Sequence, residues 1–185
     1  PSIMTDPALL EGLTEGRIAA LARAVSIVEN ARPGFERLLA EINPRLGRAR
    51  RIGLTGPPGS GKSTLAMRLV SAWRGSGLKV GVVAVDPTSP FTGGALLGDR
   101  IRLEEVALDP GVFIRSMATR GSLGGLANTT HDVAHLIDAA RLHPILFATV
   151  GVGQSDPDVQ RPADSLAPSL APQPGDVIQS LQPAV

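Results

Sequence analysis

The stretch Gly56-Pro57-Pro58-Gly59-Ser60-Gly61-Lys62-Ser63 restricts what this chain can fold into more than any other part of it. It fits G-x-x-x-x-G-K-[ST]. Glycines at these positions let the backbone curl until successive N–H groups point inward at phosphate oxygens. Lys62 is placed to reach the β and γ phosphates as a point charge, and the Ser63 hydroxyl to face Mg²⁺. The loop works only between a strand and a helix whose positive end adds to the anion site. Arg51 to Thr55 reads as that strand. Lys62 to Trp73 reads as that helix, with Leu65, Leu69 and Trp73 at fourfold spacing. Only two of the 18 basic residues are lysines, Lys62 and Lys79. In a chain that otherwise uses arginine, a lysine in this loop answers a chemical requirement.

The remaining pattern agrees with a strand–helix alternation. Lys79 to Val85 is a nearly continuous β-branched run, as in a parallel strand buried on both faces. Gly111 to Met117 and Ile145 to Val150 are further strands. Leu126 to Arg141 is helical, with Val133, Ile137 and Ala140 inward. The fold class expected is therefore α/β, a P-loop nucleoside-triphosphatase fold with a mostly parallel sheet flanked by helices. Residues 1–50 form an N-terminal helical segment ahead of it. There Asp6 caps a helix with Pro7 at its first position, Thr14 caps a longer one through Val28, and Pro33 opens a third that Pro44 stops. Residues 51–156 hold the nucleotide-binding core. Residues 157–185 carry six prolines and little periodicity, and read as a loosely ordered tail. Four strands are few for such a sheet, so the chain reads as cut short.

Composition excludes several classes. There are no cysteines, hence no disulfide framework and no thiolate metal site. A formal net charge of +1 argues against nucleic acid as a partner. No apolar run is long enough to span a membrane, and a cytoplasmic protein is expected.

Outside the loop, Asp86 ends the second strand, at the sheet edge that faces ligands. A carboxylate there suits Mg²⁺ or an attacking water, although Asp86-Pro87-Thr88 also suits a turn. Thr92-Gly93-Gly94 and Gly98-Asp99-Arg100 lie in the long connection after that strand. Thr149 to Gln154 follows the fourth strand, where Gly153 and its neighbours suit backbone donation to a γ-phosphate. His131 and His135 have i, i+4 spacing but show no third ligand, so they read as a helix face rather than a metal site.

Four separated segments agree in order with one family. They are Gly56 to Thr64 (GPPGSGKST), Asp86 to Arg102 (DPTSPFTGGALLGDRIR), Ile114 to Ala127 (IRSMATRGSLGGLA) and Thr149 to Ser155 (TVGVGQS). Together they resemble the MeaB/ArgK family of P-loop GTPases, chaperones of the B12-dependent methylmalonyl-CoA mutase. The resemblance covers about residues 13 to 156. It implies GTP and Mg²⁺ as ligands, with Gly56, Pro57, Pro58, Gly59, Ser60, Gly61, Lys62, Ser63, Thr64 and Gly153 around the nucleotide. It implies Ser63, Asp86 and Asp99 on the metal, and Lys62, Asp86 and Asp99 in catalysis. It makes Asp86 to Arg102 the first switch and Gly151 to Ser155 the second. The implied task is to gate loading or protection of adenosylcobalamin on methylmalonyl-CoA mutase or a related B12-dependent mutase.

This chain departs from the family pattern at two places. A glutamate precedes Thr-Val-Gly-Val-Gly-Gln in the family, and here that position is Ala148. The family's N-K-x-D guanine-reading motif and the C-terminal helices of its dimer are not found in these 185 residues. Alongside an active GTPase, two other readings therefore stand: a hydrolysis-poor nucleotide-binding interaction protein, and a P-loop ATPase or kinase acting on another substrate.

Overall fold

The computed structural model describes residues 6–57, 59–86, 106, 108–118, 125–149 and 162–168. Helix α1 (Pro7–Thr14) starts as its sequence predicts, with the Asp6 carboxylate accepting from the Ala8 N–H at 3.0 Å. Thr14 is not a cap. It is the last residue of α1, and its hydroxyl donates to the Glu11 carbonyl at 3.0 Å. Helix α2 (Ile18–Glu29) begins after Arg17 and buries Leu21, Ala24, Val25 and Val28. Helix α3 (Phe35–Ile42) buries Leu38 and Ile42, and a 3₁₀ turn at Asn43–Arg45 closes the segment.

Strand β1 (Arg51–Thr55) leads into helix α4 (Lys62–Gly75). Strands β2 (Val80–Asp86) and β3 (Val112–Ala118) follow, then helix α5 (Gly125–Ala139) and strands β4 (Ile145–Thr149) and β5 (Ser165–Pro168). The sheet order is β3-β2-β4-β1-β5, and every pairing is parallel. One strand exceeds expectation. β5 lies in the stretch read as a loose tail, yet it runs beside β1 with Gly53 opposite Leu166 and Thr55 opposite Pro168. Just before it, the Asp164 carboxylate accepts from the Arg51 N–H at 3.0 Å.

Parallel sheets persist when both faces are covered, and alternation along each strand assigns the faces here. Leu54, Val82 and Leu146 pack with Ala66 and Val70 of α4. Val83, Val85, Ile145 and Phe147 point the other way, into one cluster with Leu13, Val25, Leu38, Val133 and Ile137 of the other helices. The α4 stripe is centred on the buried Ala66 and Val70, with Leu69 and Trp73 packed beside them, while Leu65 is 38% exposed. Gly81 of β2 sets how closely α5 approaches. A Cβ added there would lie 2.4 Å from Ile137 Cγ2.

Two ion pairs fasten the periphery. Arg115 of β3 pairs with Glu29 at the end of α2, and Arg74 of α4 with Asp109 before β3. No helix among the described residues is long and apolar enough to cross a membrane.

Candidate functional site: the loop between β1 and α4

β1 stands inside the sheet between β4 and β5, so the loop that leaves it emerges among strand ends at the carboxyl edge. The path back into α4 uses left-handed backbone, with φ of 73° at Gly59 and 81° at Gly61. Among the described residues, a Cβ at either glycine would meet no heavy atom within 4 Å. The left-handed conformation therefore demands glycine at both positions. Any other residue there strains the backbone by about 1–2 kcal/mol. Gly61 is also the N-cap of α4, and no side chain caps that first turn. That first turn carries the positive end of the helix dipole, which favours an anion.

Lys62 folds back onto the loop. Its Nζ donates to the carbonyl of Gly56 at 2.6 Å and to that of Pro57 at 2.9 Å, and the residue is 7% exposed. A cation is thus held against the backbone of the loop, in the first turn of a helix. That arrangement fits a phosphate, whose charged oxygens are stronger acceptors than the two carbonyls. Ser63 is half-buried in the first turn of α4. Thr64 follows it on the exposed side.

The other expected residues are placed only in part. Asp86 is the last residue of β2, opposite Ala118 of β3, on the same sheet edge as the loop. Pro58, Asp99 and Gly153 lie outside the described residues, as do 87–105 and 150–161. Ala148 is in β4 opposite Leu54 of β1 and Ala84 of β2, between the strand that feeds the loop and the strand that ends in Asp86.

Residues 21–185 match the family described as "Methylmalonyl Co-A mutase-associated GTPase MeaB". The chain belongs to this family. A Pyrococcus abyssi relative that carries GTPase in its name is 49% identical over 174 residues, 94% of this chain and 54% of that protein. The "GTPase ArgK" of Escherichia coli is 38% identical over 92% of this chain and 53% of its own length. The Caenorhabditis elegans "Methylmalonic aciduria type A homolog, mitochondrial" is 35% identical over 94% of this chain and 47% of its own. Among solved structures, the LAO/AO transport system kinase superposes with a TM-score of 0.72 at 30% identity, over 90% of this chain and 51% of that one. This MeaB-family chain thus spans about half the length of the curated relatives it matches.

One positioning residue escapes a reading of the sequence. Asp138 of α5 is 1% exposed and accepts from the backbone N–H of Gly47 at 2.8 Å and of Ala49 at 3.1 Å. His143 Nε2 lies 2.9 Å from the same carboxylate, and Arg51 Nη2 at 4.0 Å. These bonds fix the approach to β1, and through β1 the loop. The only signal in the sequence is a single carboxylate in the apolar run Leu136 to Ala140.

The two histidines of α5 lie together, with ring centroids 4.2 Å apart in an edge-to-face contact. Burial first, then the neighbouring His131 and Arg51 charges, pull the His135 imidazole down to about 4; Asp138 opposes this weakly. The unfolded chain protonates this histidine near pH 6.5 or so. Between about 6.5 and 4 the unfolded state therefore binds more protons, and stability falls as pH falls through that window. After allowing for solvent screening of a half-exposed ring, the expected loss is about 1–2 kcal/mol. Urea midpoints between pH 7 and 4, in chelator, should show this slope in the wild type and a flatter one in His135→Gln. Equal slopes would refute the assignment.

Proposed function

We propose that this chain binds GTP with Mg²⁺ at Gly56–Ser63 and hydrolyses it, and that its nucleotide state gates adenosylcobalamin loading or protection on methylmalonyl-CoA mutase or a related B12-dependent mutase. The observation that carries the nucleotide half is Lys62, held within the loop on the Gly56 and Pro57 carbonyls at 2.6 and 2.9 Å. In this reading Lys62 exchanges those carbonyls for β- and γ-phosphate oxygens, and the first-turn N–H groups of α4 complete the cradle. Ser63, Asp86 and Asp99 would hold Mg²⁺, which when bound neutralises charge on the phosphates. Gly153 would approach the γ-phosphate through its backbone. The mutase half rests on the family's description and on the name of the nematode relative. The setting is cytoplasmic, with a protein partner rather than nucleic acid or membrane.

The test is adenosylcobalamin transfer to the mutase in the presence of this chain with GTP, GDP or a non-hydrolysable analogue. A transfer that differs between the GTP and GDP states supports the reading. Identical transfer in all three removes it. Because no N-K-x-D stands in these 185 residues, and the loop touches only phosphates, GTP and ATP should compete within about tenfold of each other. A built guanine site rejects the wrong base by far more. Asp164 does not replace the motif, since it is bonded at the start of β5, the end of the strand away from the loop.

Ala148 favours a second reading, a nucleotide-binding protein with slow hydrolysis. Its β4 position lies between β1 and β2 at the edge where phosphate would sit. Ala148→Glu should raise single-turnover GTP cleavage at least about tenfold, short of the 10²–10⁴ of a fully positioned proton-transfer group. Fast cleavage by the wild type, or no gain in a folded variant that binds GTP normally, would overturn this.

A further inference from the structure

We propose that His131, Asp132 and His135 form a binding site for one transition-metal ion of the Zn²⁺ class, separate from the nucleotide loop. The spacing alone gives two donors, because residues four apart share a helix face. The structure supplies the third. One ligand atom from each of the three side chains lies within 4.8 Å of the others, and all three residues are half-buried. Asp132 follows His131 directly, so the helix starts its side chain about 100° away around the axis. Asp132 stands three residues before His135, the other spacing at which helix side chains are neighbours. Around a tetrahedral ion with ligand distances near 2.0–2.2 Å, donor atoms stand roughly 3.3–3.5 Å apart. Each pair therefore has to close by no more than about 1.5 Å, within reach of side-chain torsions. The rings already touch at 4.2 Å.

The donor set decides the class of ion. Two imidazoles and a carboxylate match Zn²⁺ and its neighbours, whereas Mg²⁺ takes oxygen ligands. Three protein ligands leave a fourth position for water. Arg51 opposes a cation here. Its guanidinium also faces the buried Asp138 at 4.0 Å, which shares out that charge. The outcome expected is a moderate site rather than a structural zinc centre. Because α5 and α4 cover opposite faces of the sheet, the site is independent of the phosphate cradle.

The experiment uses the full chain without an affinity tag, stripped with chelator and held in excess Mg²⁺. Co²⁺ is titrated and followed by its visible absorption, then displaced with Zn²⁺. One Co²⁺ per chain should bind, saturating below about 100 µM. His131→Ala and His135→Ala should each weaken binding by roughly 30-fold or more, and Asp132→Asn by about tenfold. Lys62→Ala should leave it unchanged. If an alanine variant fails to fold by circular dichroism, the glutamine variants take its place. The proposal is overturned by the absence of saturable absorption below about 1 mM. It is equally overturned by wild-type affinity in a folded His131→Ala/His135→Ala chain, or in Asp132→Asn.

Discussion

Lys62→Ala should lose triphosphate affinity by about 100-fold or more while the fold survives. Each hydrogen bond from a charged donor contributes about 1.5–3 kcal/mol, and every 1.4 kcal/mol or so is tenfold in affinity. Losing contacts to two phosphates therefore removes at least about two decades. The folded chain loses less. In the free protein the Nζ donates to the carbonyls of Gly56 and Pro57, and water entering the space left by the truncated side chain replaces it. A stability cost of about 1 kcal/mol or less follows. Titration calorimetry with GTP and ATP measures the first effect and thermal melting the second. Unchanged affinity for both nucleotides would remove the loop from the site. A collapse in melting temperature would mean that Lys62 holds the fold rather than the ligand.

Asp138→Ala should be the reverse case, with a large loss of stability from a residue that touches no ligand. Asp138 is 1% exposed and accepts from Gly47 and Ala49. Alanine would leave two N–H groups without acceptors and the Arg51 charge without its buried counterpart. Breaking such an arrangement from one side costs about 3–5 kcal/mol, a large part of the roughly 5–15 kcal/mol that holds a domain together. Asp138→Asn keeps one acceptor oxygen and should cost less, about 1–3 kcal/mol. Denaturant midpoints at neutral pH decide both. A loss under about 1 kcal/mol for the alanine variant would show that the approach to β1 is held by other contacts.

What the sequence reveals depends on how local the cause is. The loop was legible because strand, glycines, lysine and helix are contiguous, and each residue has a chemical reason to be there. β2 and β4 were legible because a strand buried on both faces is a continuous apolar run. β5 was not. Ser165-Leu166-Ala167-Pro168 has no β-branched residue and is exposed or half-buried throughout. It is a strand because β1 lies beside it, which no local pattern records. Asp138 was hidden for the same reason, since its backbone partners lie 89 and 91 residues away in sequence. On α4 the fourfold series Leu65, Leu69, Trp73 marks the edge of the inward stripe: Leu69 and Trp73 pack on the core, which is centred on Ala66 and Val70, small residues that attract little notice in a sequence. Of the candidate site, the phosphate cradle could be read directly. Asp132 has helix-neighbour spacing to His135 but adjoins His131, about 100° away around the axis, so its approach to both histidines is seen only in the side-chain positions.

The single apolar cluster joining α1, α2 and α3 to the sheet sets the smallest autonomous piece of this molecule. From Val133 to Ala139 every residue of α5 is buried except His135, around the whole circumference of the helix. A helix of that kind is an interior element, not a surface one. The sheet covers one side of it and the N-terminal helices the other. A chain begun at Arg51 would keep the motif that names the fold and still present the outer side of α5 to water. Such a fragment gains a sticky flank in place of a wall, and the nucleotide loop cannot be studied apart from the helices that precede it.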